Sequence, residues 1–156
     1  MKVERICTRS PVAAARSDSL QKAAQTMRRL HVGSLLVTEL AEAGSEVVGI
    51  LTDRDLALLA VADALDVRKV TVDKVMSPVI ASVAEDADVL EALERMRNGG
   101  IRRLLVTSPD GKAVGMLSID DVVDGLAAEL ASAAALMKSE IKREAGQSGG
   151  ASAAAR

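Results

Sequence analysis

Two short arrays in this 156-residue sequence place a hydroxyl three residues before a carboxylate: Thr52-x-x-Asp55 and Ser118-x-x-Asp121. Each follows an apolar run that contains a glycine, Val47-Val48-Gly49-Ile50-Leu51 and Ala113-Val114-Gly115-Met116-Leu117. Each precedes a stretch that favours helix. A hydroxyl and a carboxylate at this spacing form a capping box at a helix start, a role that needs no ligand. The same place suits a ligand. Free N–H groups and the helix dipole favour an anion there. Glycine permits close approach of a backbone or a ligand. The hydroxyl can meet a phosphate or sugar oxygen, and the Asp can accept hydrogen bonds from a ribose diol.

Arginines stand near both arrays. Arg54 lies inside the first, and Arg102 and Arg103 open a later apolar run. The planar guanidinium fork suits phosphate. Alternation along a strand predicts that only one of Arg102 and Arg103 reaches a given cleft. The second array carries Ile119-Asp120 where the first carries Asp53-Arg54, so its helix start is more acidic and the two clefts are not equivalent. Asp53, Asp55, Asp120 and Asp121 could attract Mg²⁺ together with a nucleotide; otherwise they are solvated carboxylates. His31 is the only histidine and Cys7 the only cysteine. One cysteine allows no internal disulfide and no multi-cysteine metal site. His31 reads as a structural or partly exposed residue, with a place in the first cleft as the alternative, and Cys7 as a buried or idle thiol. The sequence shows no nucleophile–base pair, no metal-ligand cluster and no phosphate-binding loop of the GxxxxGK type. The expectation is a protein without catalysis.

The elements that position these residues come from an internal repeat. Gly49, Thr52 and Asp55 match Gly115, Ser118 and Asp121 at one offset of 66. Upstream, Gly33-Ser34-Leu35-Leu36-Val37 matches Arg102-Arg103-Leu104-Leu105-Val106, and Met27 matches Met96, at an offset of 69. Ser-Pro-Val at 10–12 recurs at 77–79, an offset of 67. These shifts imply a two-residue insertion and a three-residue deletion in the second copy, absorbed in loops. Each copy reads as an extended stretch, a capped helix, two strands and a second helix. Ser17-Asp18-Ser19 precede a stripe of Leu20, Ala23, Ala24, Met27 and Leu30, and Asp88 with Glu91 precedes Val89, Leu93 and Met96. Asn98-Gly99-Gly100 ends the second of these helices. The fold class is therefore α/β (α+β): two tandem β-α-β-β-α units, residues 1–66 and 67–130. A unit of this size is marginal alone, which predicts that the two pack sheet to sheet with pseudo-two-fold symmetry. Residues 131–145 read as a C-terminal helical extension, the amphipathic stretch running from 126, and residues 146–156 as a disordered tail.

Composition excludes several classes. The chain is 49% hydrophobic with no Phe, Tyr or Trp, and 20 basic against 22 acidic residues give a net charge of −2. The hydrophobic share is too high for disorder, so the core is aliphatic. Base stacking on aromatic rings and aromatic cages for cations are impossible. The charge lacks the basic footprint of a duplex-binding domain, so no nucleic-acid partner is expected. No apolar run reaches the roughly 18 residues of a membrane span, and Met1-Lys2-Val3-Glu4-Arg5 lacks the apolar region of a signal peptide. The expectation is a cytoplasmic protein.

The repeated unit resembles a CBS motif, and the chain resembles a stand-alone, bacterial-type CBS pair, or Bateman module. The residues that carry the likeness are Val75-Met76-Ser77-Pro78-Val79, His31 to Val37, Val48 to Asp55 and Val114 to Asp121. It covers roughly residues 3–130. The resemblance implies a regulatory, energy- or nucleotide-sensing module whose clefts bind adenosine compounds such as AMP, ADP or ATP. It implies Thr52 and Asp55 in one cleft and Ser118 and Asp121 in the other, holding phosphate or ribose. Val12 and Ala13, and Ile80 to Val83 with Ser82 among them, would flank the adenine. His31 to Ser34, including Gly33, and Ile101 to Arg103 would line the same clefts, with Arg102 favoured as the phosphate contact. A homodimer that signals to a regulated protein completes the expectation; a structural or protein-interaction module with non-functional clefts is the alternative.

Overall fold

A computed structural model describes residues 1–41, 44–78 and 81–151, with the side chains of 142 and 144–151 excepted. The chain forms two compact units, Met1–Ser118 and Ile119–Arg156.

In the first unit each copy begins with a single 3-10 turn, Val3–Arg5 or Val72–Lys74. A short strand follows, β2 (Ala13–Ala15) or β5 (Ser82–Ala84). Then come the helices α1 (Leu20–Leu30) and α3 (Val89–Gly99). The caps predicted from the sequence form. The Ser19 hydroxyl accepts from the Lys22 N–H at 3.2 Å, and the Asp88 carboxylate accepts from the Leu90 N–H at 3.0 Å. That backbone bond, with the nearby N-terminal ammonium, holds the Asp88 carboxyl below its ordinary pKa. Leu20, Ala23 and Met27 of α1, and Val89, Ala92 and Met96 of α3, face the core. Both helices end in a left-handed residue, His31 (φ 54°) and Gly100 (φ 60°). That conformation returns the chain toward the next strand.

The hairpin strands are β3 (Ser34–Ala41) with β4 (Gly44–Thr52), and β6 (Arg103–Thr107) with β7 (Ala113–Ser118). One sheet has the order β2-β3-β4. The other is four-stranded, β1-β7-β6-β5, where β1 is Thr8–Arg9. Within each copy the short strand runs parallel to the first hairpin strand, and the hairpin is antiparallel. Leu35, Val37 and Leu51 in one sheet, and Leu104, Val106 and Leu117 in the other, are fully buried. Across the two sheets, the Ser34 Oγ lies 3.9 Å from the Met116 Sδ.

The leaders of the two copies are exchanged. β1 belongs to copy one by sequence but pairs with β7 of copy two, Thr8 opposite Met116. Ser77, from the leader of copy two, pairs with Ile50 of β4 in copy one. This exchange corrects the repeat alignment. Thr8 and Ser77 are equivalent, as are Val3 and Val72, so one offset of 69 holds from the leaders to Val37. It drops to 66 only across the hairpin. A single three-residue shortening of the second hairpin is needed, and no insertion. The two Ser-Pro-Val tripeptides are not equivalent: Ser10 has a left-handed backbone (φ 55°), whereas Ser77 sits in the bridge to Ile50.

The second helix of copy one starts as α2 (Asp53–Asp55) and widens into a π-helical turn, Leu56–Ala60. In the second unit, α4 runs continuously over Ile119–Ala151. The sequence reading divided this stretch into a repeat helix, an extension and a tail from Gly146. Residues 152–156 lie outside the described ones. Among the described residues no helix is long and apolar enough to cross a membrane.

Candidate functional site

β4 delivers Thr52 to the start of α2, and there the capping box closes. The Thr52 Oγ1 donates to the Asp55 Oδ2 at 2.7 Å, the Thr52 N–H donates to the same oxygen at 2.9 Å, and the Asp55 N–H donates to the Thr52 Oγ1 at 3.2 Å. Both side chains are half-buried. These bonds occupy Asp55 Oδ2, and they leave the Oδ1 lone pairs for another donor.

This corner opens into a cavity of about 450 Å³ lined by both copies. Copy one supplies Ile50, Thr52, Asp53, Arg54 and Asp55; copy two supplies Ser77, Ala81, Gly100, Ile101, Arg102 and Arg103. The leader exchange is what brings Ser77 beside Ile50: their backbones bond both ways, at 3.0 and 2.9 Å. The lining therefore joins an aliphatic wall, Ile50, Ala81 and Ile101, to three guanidinium groups and a hydroxyl–carboxylate pair. A flat apolar group fits the wall, and an anion fits the arginines.

Eight of the residues singled out from the sequence meet in this cavity: Thr52, Asp53, Arg54, Asp55, Ala81, Ile101, Arg102 and Arg103. Both Arg102 and Arg103 line it, against the expectation that alternation admits one. Arg102 precedes the first residue of β6 in a bend, so strand alternation does not govern it. Gly33 lies beside the cavity: a β-carbon there would come 3.2 Å from the Asp53 Oδ2 and 3.8 Å from an Arg103 guanidinium nitrogen. Its carbonyl accepts from the Asp53 N–H at 3.1 Å.

Other sequence-derived residues lie elsewhere. His31, exposed at the end of α1, lines a separate cavity of about 610 Å³ with Lys22, Arg28 and Arg29. Val12 is half-buried against the core of copy one, and Ala13 opens β2 in register with Leu36. Ser82 sits in β5, where its carbonyl accepts from Arg95 at 2.9 Å. Ser118 ends β7, and Asp121 lies in the first turn of α4. Ile80 falls outside the described residues. Cys7 is half-buried rather than fully so, with its Sγ 4.0 Å from the Glu4 carbonyl. Sequence reasoning missed Ile50, Ser77 and Gly100 as lining residues. The matched spacing of Thr8 and Ser77 was the signal that could have found Ser77. Among the described residues no group of three or more His, Cys, Asp or Glu could hold a metal ion.

Comparison with known proteins agrees with this architecture. The CBS domain family matches twice, over residues 3–61 and 72–128. An uncharacterized 17.7 kDa protein of Acidianus ambivalens is 33% identical over 125 residues, 80% of this chain and 73% of that protein. Hypoxic Response Protein I, solved with two coordinated zinc ions, superposes with a TM-score of 0.67 at 26% identity, over 80% of this chain and 98% of that one. The CBS domain pair of protein MJ0100, in complex with 5′-methylthioadenosine and S-adenosyl-L-methionine, has a TM-score of 0.70 at 23% identity, covering 83% and 98%; this likeness is one of fold alone. Longer proteins also match: the chain spans 18% of a CBS domain-containing protein of Arabidopsis thaliana. With two matched motifs covering most of its length, the chain belongs to the CBS domain family, as a tandem CBS pair.

Proposed function

We propose that the cleft between the two copies binds an adenosine-type nucleotide, AMP, ADP, ATP or a related adenosyl compound, and that binding regulates a partner protein. The observation that carries this reading is the meeting of Thr52, Arg54 and Asp55 from copy one with Ala81, Ile101, Arg102 and Arg103 from copy two. The purine lies against Ile50, Ala81 and Ile101, since the chain has no aromatic ring to stack on. The ribose diol donates to the free oxygen of Asp55. The phosphates meet Arg54, Arg102 and Arg103, with Mg²⁺ as an optional companion. The second hydroxyl–carboxylate pair, Ser118 and Asp121, serves a second ligand in the same way. The protein acts without catalysis of its own, in the cytoplasm, as a homodimer.

A ligand that touches both copies stabilises one arrangement of them, and a partner reads that arrangement. Coupling of this kind is commonly about 1–3 kcal/mol. A second reading has support in the capping box: Thr52 and Asp55 satisfy each other without any ligand, as they would in a structural module with idle clefts. Calorimetry with AMP, ADP, ATP, NAD and S-adenosylmethionine separates the two. Saturable binding by one of these, lost in Asp55→Ala, is expected; no heat from any adenine compound at millimolar concentration would overturn the sensor reading.

A further inference from the structure

α1 and α3 hold equivalent places in the two copies. Each is 11 residues long and each ends in a left-handed residue. A charge that the fold itself requires of this helix should therefore appear in both. α3 is balanced: Glu91 and Glu94 offset Arg95 and Arg97. Its Arg95 is held by the Glu91 carboxylate and the Ser82 carbonyl, each at 2.9 Å. α1 carries Lys22, Arg28 and Arg29 and no acidic residue. Basic groups in a last turn complement the helix dipole, yet α3 meets that need with Arg97 alone. The surplus on α1 is not required by the fold.

That surplus converges on one place. Arg28, Arg29 and His31, with Lys22, Gln25 and Thr26, line the cavity of about 610 Å³ at the end of α1, and no carboxylate is among its lining residues. Lys22 is tied to Asp18 at 2.7 Å. Among the described residues the side chains of Arg28, Arg29 and His31 have no ion pair and no hydrogen bond. Two planar guanidinium forks beside an amide and a hydroxyl are a donor set suited to phosphate oxygens. His31 is an independent sign. Its backbone is left-handed (φ 54°), and its counterpart in copy two is Gly100 (φ 60°). That conformation is unfavourable for a residue with a β-carbon and costs glycine nothing. An imidazole kept there against this cost marks a position held for a contact. A compact anion fits better than a nucleic-acid strand: the basic groups are confined to one helix end, and the chain carries a net charge of −2 and no aromatic ring.

We propose that the end of α1 is an anion site for a diphosphate or longer phosphate chain, held by Arg28, Arg29 and His31. It does not rest on the cleft, with which it shares no lining residue. Calorimetric titration of the full chain with inorganic pyrophosphate, at constant ionic strength, tests it. Saturable binding is expected, unchanged in Arg102→Ala/Arg103→Ala and weakened by about tenfold or more in Arg28→Gln/Arg29→Gln. A loss in the cleft variant puts the anion in the cleft and overturns the site, as does the absence of saturable heat at millimolar pyrophosphate. ADP titrated into the cleft variant tells the source of the phosphates: binding there assigns the site to the tail of a nucleotide, and binding of pyrophosphate alone assigns it to the free anion. Hexaglutamate is the second probe. Equal binding by it makes the patch a docking face for an acidic protein segment and overturns the phosphate assignment. His31→Gly installs the residue that copy two uses. It should weaken pyrophosphate severalfold while leaving the thermal midpoint no lower than the parent's. Unchanged affinity, or a lowered midpoint, would show that the imidazole serves the fold and would overturn its place in the site.

Discussion

Gly49 lies so close to the Ser77 carbonyl that a β-carbon on it would come within 2.8 Å of that oxygen, and within 2.7 Å of the Met76 Sδ. Gly115 stands in the same relation to the Thr8 carbonyl, also at 2.8 Å. Each glycine faces the hairpin irregularity of its own copy, between Val37 and Thr38 or between Val106 and Thr107. The incoming leader of the other copy occupies the space that a side chain would need.

Gly49→Ala and Gly115→Ala are therefore expected to destabilise the protein by about 1–3 kcal/mol each, the cost of overpacking. The Met76 thioether can swing aside, but the two carbonyls belong to backbone that is hydrogen-bonded in place. Urea denaturation followed by far-ultraviolet circular dichroism measures this, since the chain has no Trp or Tyr to report by fluorescence. Unchanged midpoints for both variants would mean that the leaders are not seated as described.

Thr52→Ala and Asp55→Ala each break the same capping box. A loss of about 1 kcal/mol is expected for either one. Because the two side chains bond to each other, the double variant should cost little more than one of the singles, and a double-mutant cycle reads that coupling. Fully additive losses would show that the two residues stabilise the fold through separate partners.

Arg102→Ala and Arg103→Ala bear on the proposed ligand and not on the fold, since Arg102 is exposed and Arg103 half-buried at the rim of the cavity. Loss of a charge-assisted hydrogen bond is worth about 1.5–3 kcal/mol, so each substitution should weaken a phosphate-bearing ligand by about tenfold or more. Adenosine itself should bind the variants and the parent equally. Calorimetric titration with ADP and with adenosine makes the comparison. An equal loss for both ligands would move the arginines from the phosphate to the base or ribose.

Asp110, in the turn of the second hairpin, has a carboxyl held down to about 2, first by Lys112 and then by the Ser108 hydroxyl. A depressed pKa in the folded state adds stability that is fully present above the unfolded value of 3.8 and is lost as pH falls through about 2. The group is fully exposed, so the effect is local to the turn. A carboxyl-detected NMR titration should place Asp110 well below 3.8, and Lys112→Ala should raise it. A value near 3.8 in the parent would mean that the turn contacts do not persist in solution.

Much of this protein is written locally. The caps at Ser19 and Asp88 and the turn at Ser108-Pro109-Asp110-Gly111 follow from residue type and spacing. So do the apolar stripes of α1 and α3 and the hydroxyl–carboxylate pair at Thr52 and Asp55. Each depends on atoms within about one helical turn, which is why a single sequence reveals them. The duplication itself was legible too, because equivalent backbone positions in both copies select equivalent residue types. What the sequence alone could not decide was which copy's leader joins which sheet. Three matching letters, Ser-Pro-Val, pointed to one register, and the pairing of Thr8 with Met116 and of Ser77 with Ile50 set another. The presence of both Arg102 and Arg103 in one cavity with Thr52 and Asp55, and the placement of His31 in a different one, likewise depend on contacts between residues tens of positions apart. Local propensity is blind to such contacts. They arise only when two marginal units close on each other, and it is that closure which turns two capping motifs into a cleft.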